Sequence, residues 1–122
     1  MARHRLLIID DDRDFSQMVV DYFRAAGYEM SLATNMEDAV NIFRRQKPRV
    51  VFLDFNMPIV TGEKMMPVLQ SIDPAVRVIV VSGYTQEEVE EKFKGLGYFA
   101  YFEKAGLSLE NLKRKVEEAL NY

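Results

Sequence analysis

The residues Val50-Val51-Phe52-Leu53 constrain the fold more than any other stretch, because four consecutive apolar side chains leave no polar face. An amphipathic helix or a half-exposed strand needs such a face. A strand covered on both sides does not, and that is the strand of a parallel sheet packed between helices. The run gives way to Asp54-Phe55-Asn56-Met57-Pro58, a turn signal, so Asp54 stands at the carboxyl end of the strand. In open α/β sheets, ligands and chemistry gather at that edge. The rest of the chain decides whether other polar groups converge there.

Leu6 to Ile9 is a second fully apolar run, and it ends in Asp10-Asp11-Asp12. Phe15, Met18, Val19, Tyr22, Phe23 and Ala26 recur at spacings of three and four, which predicts an amphipathic helix from Asp14 to Ala26, closed by Gly27. Tyr28, Met30 and Leu32 alternate as in a half-buried strand. Thr34 with Glu37 reads as a capping box, and Ala39, Val40, Ile42 and Phe43 give the following helix its inner face, ending before Pro48. Met65, Met66 and Leu69 indicate a short third helix, with Pro67 expected in its first turn. Val76 to Val81 is a β-branched run ending in Ser82-Gly83. Glu87 to Lys94 reads as a charged helix anchored by Val89 and Phe93. Tyr98 to Phe102 is a fifth strand, ending in Glu103-Lys104, and a last helix starts at Ser108 with Leu109, Leu112, Val116 and Leu120 inward. Five strands alternating with five helices predict one α/β domain over residues 1–122, doubly wound, with a five-stranded parallel sheet and helices on both faces.

Composition narrows the function classes. With 16 Lys and Arg against 19 Asp and Glu, the formal charge is -3, so nothing favours nucleic acid. The absence of cysteine excludes thiolate metal sites and cysteine catalysis. No apolar run approaches the roughly 18 residues of a membrane span. The basic start, Met1 to Arg5, is followed by too short an apolar run for a secretory signal, so a soluble, cytoplasmic chain without membrane contact is expected.

The strand ends can bring three carboxylates (Asp10, Asp11, Asp54), the Ser82 hydroxyl and the Lys104 ammonium to one edge. Clustered carboxylates repel one another and raise some of their pKa values unless a cation is present. An all-oxygen donor set points to a hard ion such as Mg²⁺, which is commonly completed by phosphate oxygens. Lys104 and Ser82 then suit phosphoryl oxygens, and Asp54 is the candidate nucleophile, able to form an acyl phosphate.

The order Asp10-Asp11, Asp54, Ser82, Lys104, with Asn56-Met57-Pro58, Gly62 and Tyr101, resembles the receiver domain of two-component response regulators over essentially the whole chain. The resemblance implies a flavodoxin-like sheet in the order 2-1-3-4-5, known from the chemotaxis member of that family. It implies Asp54 as phosphoacceptor, Asp11 as a direct Mg²⁺ ligand, Asp10 as a ligand mainly through water, and Asn56 as a ligand through its backbone carbonyl. Ser82 and Lys104 would bind the phosphoryl oxygens. Ser82 and Tyr101 would form a switch acting on the face of the fourth helix, fifth strand and fifth helix. Asn56 and Tyr84 would flank the phosphoryl group. The implied partners are a histidine kinase or phosphotransfer protein upstream, and an effector protein or attached output domain downstream. The chain would be a signalling switch catalysing its own phosphorylation and dephosphorylation, not a conventional enzyme.

Two departures stand out. Receivers usually carry proline after the lysine in a cis peptide, whereas Ala105 follows here, so either a trans bond with an altered loop or a strained cis bond is expected. Thr61 replaces a common aspartate before Gly62. Plainer readings exist too: Asp10 to Asp12 as helix caps (the expected role of Asp12), Asp54 or Ser82-Gly83 as turn formers, Tyr101 as core, Lys104 as a surface lysine, and His4 as a solvated terminal residue. Two other functions compete. One is an aspartate-nucleophile phosphohydrolase, disfavoured because Asn56 stands where its acid-base aspartate belongs; the other is an interaction module that is never phosphorylated.

Overall fold

The structure, a computed structural model, describes residues 4–57 and 61–121, so Met1 to Arg3 and the Pro58 turn signal lie outside the described residues. The elements are β1 (Arg5–Ile9), α1 (Arg13–Ala25), β2 (Glu29–Ala33), α2 (Met36–Gln46), β3 (Val50–Leu53), α3 (Gly62–Ile72), β4 (Arg77–Ser82), α4 (Gln86–Lys92), β5 (Ala100–Glu103) and α5 (Leu109–Leu120). All strand pairs are parallel, and the order is β2-β1-β3-β4-β5, as the resemblance implied. No described helix is long and apolar enough to cross a membrane.

The alternation of side chains along each strand divides the core in two. Leu7, Ile9, Val51, Leu53, Val78 and Val80 meet Phe43, Met65, Met66, Leu69 and Val89 from α2, α3 and α4. Leu6, Ile8, Val50, Phe52, Ile79 and Val81 meet Val19, Val20, Phe23, Leu112 and Val116 from α1 and α5. The opening run Val50 to Leu53 is buried throughout because β3 is the central strand and both its faces are covered.

Several local expectations shift. On α1 the buried stripe is Ser16, Val19, Val20 and Phe23, which leaves Met18 on the opposite side and 46% exposed. The N-cap of α2 is Asn35, whose side chain accepts from the Asp38 amide at 2.9 Å, not Thr34; asparagine caps at least as well as threonine, and the helix starts one residue later. Pro67 lies in the interior of α3, beyond its first turn. The ring is exposed, so solvent can serve the Glu63 carbonyl that its missing N–H would have engaged. On α4, Thr85 and Glu88 form a reciprocal capping box that starts the helix at Gln86.

Candidate functional site

Asp10 and Asp54 are the residues immediately after β1 and β3, two adjacent central strands. Backbone hydrogen bonds carry the sheet one residue past its formal end: the Asp54 N–H donates to the Ile9 carbonyl and the Asp10 N–H to the Ala33 carbonyl, each at 3.0 Å. Both carboxyl groups are nearly closed to solvent, at 4% and 1% residue exposure, and both are satisfied in the same way. Asp10 Oδ1 accepts from the Asp12 amide and Asp54 Oδ1 from the Asn56 amide, each at 2.9 Å and two residues on. The remaining oxygens, both Oδ2, face one ammonium: Lys104 Nζ is 2.8 Å from Asp10 and 3.3 Å from Asp54.

Asp11 completes the acid cluster from the exposed side. One oxygen from each of Asp10, Asp11 and Asp54 lies within 4.8 Å of the others. This hard, all-oxygen set, open to water at Asp11, fits a divalent cation of the Mg²⁺ kind. Asp12 instead caps α1, accepting from the Phe15 amide at 3.1 Å.

Burial raises the Asp10 pKa to about 6; the hydrogen bond from Lys104 opposes this, and the negative charge of Asp54 adds only a smaller increase. Desolvation, more than the repulsion expected from clustering, is therefore the main cause. Lys104 ends with a raised pKa. Burial pulls it down, but the hydrogen bond and charge of Asp10, and then those of Asp54, outweigh that effect.

Gly62 makes the floor of the site possible. A Cβ at this position would lie 2.4 Å from Phe55 Cδ1, 2.6 Å from the Asp54 carbonyl oxygen and 2.8 Å from Phe55 Cα. The start of α3 thus presses directly on the Asp54–Phe55 backbone, which only glycine permits. Thr61 precedes it as the N-cap residue, without a side-chain cap bond.

Ser82 is fully buried at the end of β4, where its carbonyl accepts the Lys104 N–H at 2.8 Å and its Oγ lies 3.4 Å from the Tyr84 amide. Tyr101, on β5, packs against the core on the α4 side. Its hydroxyl is buried without a hydrogen-bond partner among the described residues, and burial, followed by the charges of Glu103, Glu88 and Asp54, pushes its pKa up to about 12. The Tyr84 ring stands edge-on to Phe93 at 5.5 Å, with Lys92 Nζ 5.1 Å from its centroid. Asn56 is exposed, as is His4. The Lys104–Ala105 peptide is trans, the first of the two alternatives expected from the missing proline, and Gly106 turns the loop at φ 73°.

Sequence reasoning passed over two contacts. Lys104 Nζ lies 4.7 Å from the centroid of the Phe15 ring, a residue assigned only to the inner face of its helix. Glu103 Oε1 accepts the Gln86 amide at 2.9 Å and ties the start of α4 to β5. The pattern Thr85-x-x-Glu88 could have located the helix start; no local signal marks the Phe15 contact, which depends on the tertiary approach of α1 to the loop after β5.

A family model described as "Response regulator receiver domain" matches residues 6–117. The chain is 28% identical over 100 residues to a response regulator receiver protein of Anaeromyxobacter, covering 82% of this chain and 42% of that protein. It is 28% identical over 104 residues to sporulation initiation phosphotransferase F of Bacillus subtilis, covering 85% of this chain and 84% of that protein. It thus spans less than half the length of the first relative and most of the second. A CheY-like response regulator receiver domain protein from Methanospirillum hungatei has the same fold, with a TM-score of 0.89 at 22% identity, covering 98% of this chain and 95% of that one.

Proposed function

The chain belongs to the response regulator receiver domain family, and from that premise we propose that it is a phosphorylation-activated signalling switch with Asp54 as phosphoacceptor. The observation that carries this reading is the convergence of the Asp10, Asp11 and Asp54 oxygens on one spot, with the Lys104 ammonium shared between Asp10 and Asp54. Asp54 Oδ2, released by Lys104, attacks the phosphorus of a phosphohistidine in line. The P–N bond breaks, its electron pair stays on the imidazole, and the imidazole nitrogen takes a proton. The donor is a histidine kinase or a phosphotransfer protein, and the name of the Bacillus relative fits a place in such a relay.

Asp10 and Asp11, with Asp54 and the Asn56 carbonyl, would hold a Mg²⁺ ion, which supplies charge neutralisation for the phosphoryl oxygens when bound. Lys104 turns its ammonium from Asp54 to a phosphoryl oxygen, and the Ser82 hydroxyl donates to another. The Asn56 amide keeps the carboxyl plane of Asp54 fixed during the attack. Water attack on phosphorus, breaking the bond to Asp54, resets the site. Asn56 and Tyr84 flank the group and limit that attack, so Tyr84→Ala should shorten the phosphorylated lifetime.

The Tyr101 hydroxyl, a protonated donor without an acceptor among the described residues, suits a part that repacks when Ser82 turns toward a phosphoryl oxygen. Its neighbours Glu88 and Glu103 lie on α4 and β5, so the repacking would be read on the α4-β5-α5 face by an effector or an attached output domain.

Incubation with acetyl phosphate should label the wild-type chain only when Mg²⁺ is present and should leave Asp54→Asn unlabelled. Equal labelling of the variant would overturn the assignment.

A further inference from the structure

We propose that Phe15 is a positioning residue for Lys104, its ring providing the neutral wall against which the ammonium is held while the lysine serves the acceptor carboxylate. The inference rests on the phosphoryl-transfer reading of the site and adds to it a residue outside the acid, hydroxyl and lysine set.

Lys104 needs outside support. It follows the edge strand β5, and its side chain has four rotatable bonds to hold. The loop beyond it gives little restraint: the peptide to Ala105 is trans, and Ala105 and Gly106 are exposed. What fixes the ammonium is its surroundings at the tip, namely Asp10 at 2.8 Å, Asp54 at 3.3 Å and the Phe15 ring centroid at 4.7 Å.

These three supports differ in kind. The two carboxylates hold the lysine only while they are free; once they bind a divalent cation or a phosphoryl group, their attraction for the ammonium is spent elsewhere. The ring quadrupole attracts the ammonium whatever the acids are doing, and it neither competes for a hydrogen bond nor ligates a metal. Phe15 is itself well anchored. Its amide is bound by Asp12 Oδ1 at 3.1 Å, and its ring packs against the α1 and α5 side of the core. Asp12 therefore contributes to the site indirectly, by fixing the first turn from which Phe15 reaches the lysine.

A purely structural Phe15 and a positioning Phe15 respond differently to two substitutions. Phe15→Leu keeps apolar bulk and loses the ring face, whereas Phe15→Tyr keeps the ring. In Mg²⁺-dependent labelling by acetyl phosphate, Phe15→Leu should slow by about three- to tenfold and Phe15→Tyr should recover most of the wild-type rate. In the wild-type protein, the Lys104 ε-methylene protons, assigned by their loss in Lys104→Met, should show the upfield ring-current shift of protons above an aromatic face. That measurement decides the matter even if Phe15→Leu does not fold. Equal slowing of the Leu and Tyr variants, an unslowed Leu variant, or unshifted Lys104 protons would each overturn the inference, while silence of Asp54→Asn in the same assay would leave the phosphoacceptor reading standing.

Discussion

Asp10 and Asp54 leave neighbouring central strands and are fixed at both ends, by strand hydrogen bonds behind them and by an amide two residues ahead. Lys104 leaves the edge strand, whose residues are half-buried or exposed, and is fixed by its backbone N–H at one end and by whatever surrounds its ammonium at the other. The acid wall is thus positioned by the backbone, and the lysine wall by side-chain partners. On the proposed reading, a site that takes up and releases a phosphoryl group needs one part that stays and one that adjusts, and the division between sheet centre and sheet edge would supply both.

Gly62→Ala should break the acid wall. Two of the three atoms that the new methyl would meet belong to backbone, so the clash cannot be relieved by a rotamer change. A loss of about 3 kcal/mol in urea unfolding is expected, at the upper end of overpacking costs. An unchanged urea midpoint would show that the α3 start is less tightly seated on the Asp54–Phe55 backbone than these distances imply.

Lys104→Met should act next in size. At neutral pH it leaves two buried carboxylates facing one another without a counter-charge, for a loss of about 2 kcal/mol, reduced from the fully buried case because the lysine is partly exposed. The loss should shrink at pH 5, where Asp10 takes up a proton. A loss independent of pH would mean that packing of the lysine stem, not its charge, supports the fold.

Asp10→Asn should have the smallest effect and the opposite sign. The folded-state pKa of Asp10 is raised from 3.8 to about 6, so the folded protein binds this proton more tightly than the unfolded chain. The penalty for its charge is complete above about pH 6, fades as pH falls, and is gone below about pH 4. The amide side chain, which carries no charge to desolvate, should therefore stabilise the metal-free protein by about 1 kcal/mol at pH 7, a gain that vanishes toward pH 4. Thermal midpoints of both proteins across that range check the sign.

The same division governs what could be read from the chain. The central strands were legible because burial on both faces permits only apolar residues, and Val50 to Leu53 was bounded to the residue. The acids, hydroxyl and lysine were legible because each ends a strand or stands within two residues of its end. The bounds of β5 and α4 were less so, since half-buried residues such as Phe99 and Ala100 obey no strict period. The cap of α2 moved from Thr34 to Asn35 because two adjacent residues both suit the role. The contact of Phe15 with Lys104 joins residues 89 positions apart and leaves no trace in either local pattern.

The capping of α4 carries one more consequence. This helix has seven residues, only Val89 of them buried, and its start is secured by the Thr85–Glu88 box and by the Gln86 amide on Glu103. Beyond Val89 and the C-cap residue Phe93, which reach the core, its order rests on a few exposed hydrogen bonds, so its amides should exchange with deuterated solvent faster than those of β1 and β3, which await global unfolding. Beside a sheet held from both faces, the molecule thus carries a short helix with a single buried residue of its own, the segment expected to open first.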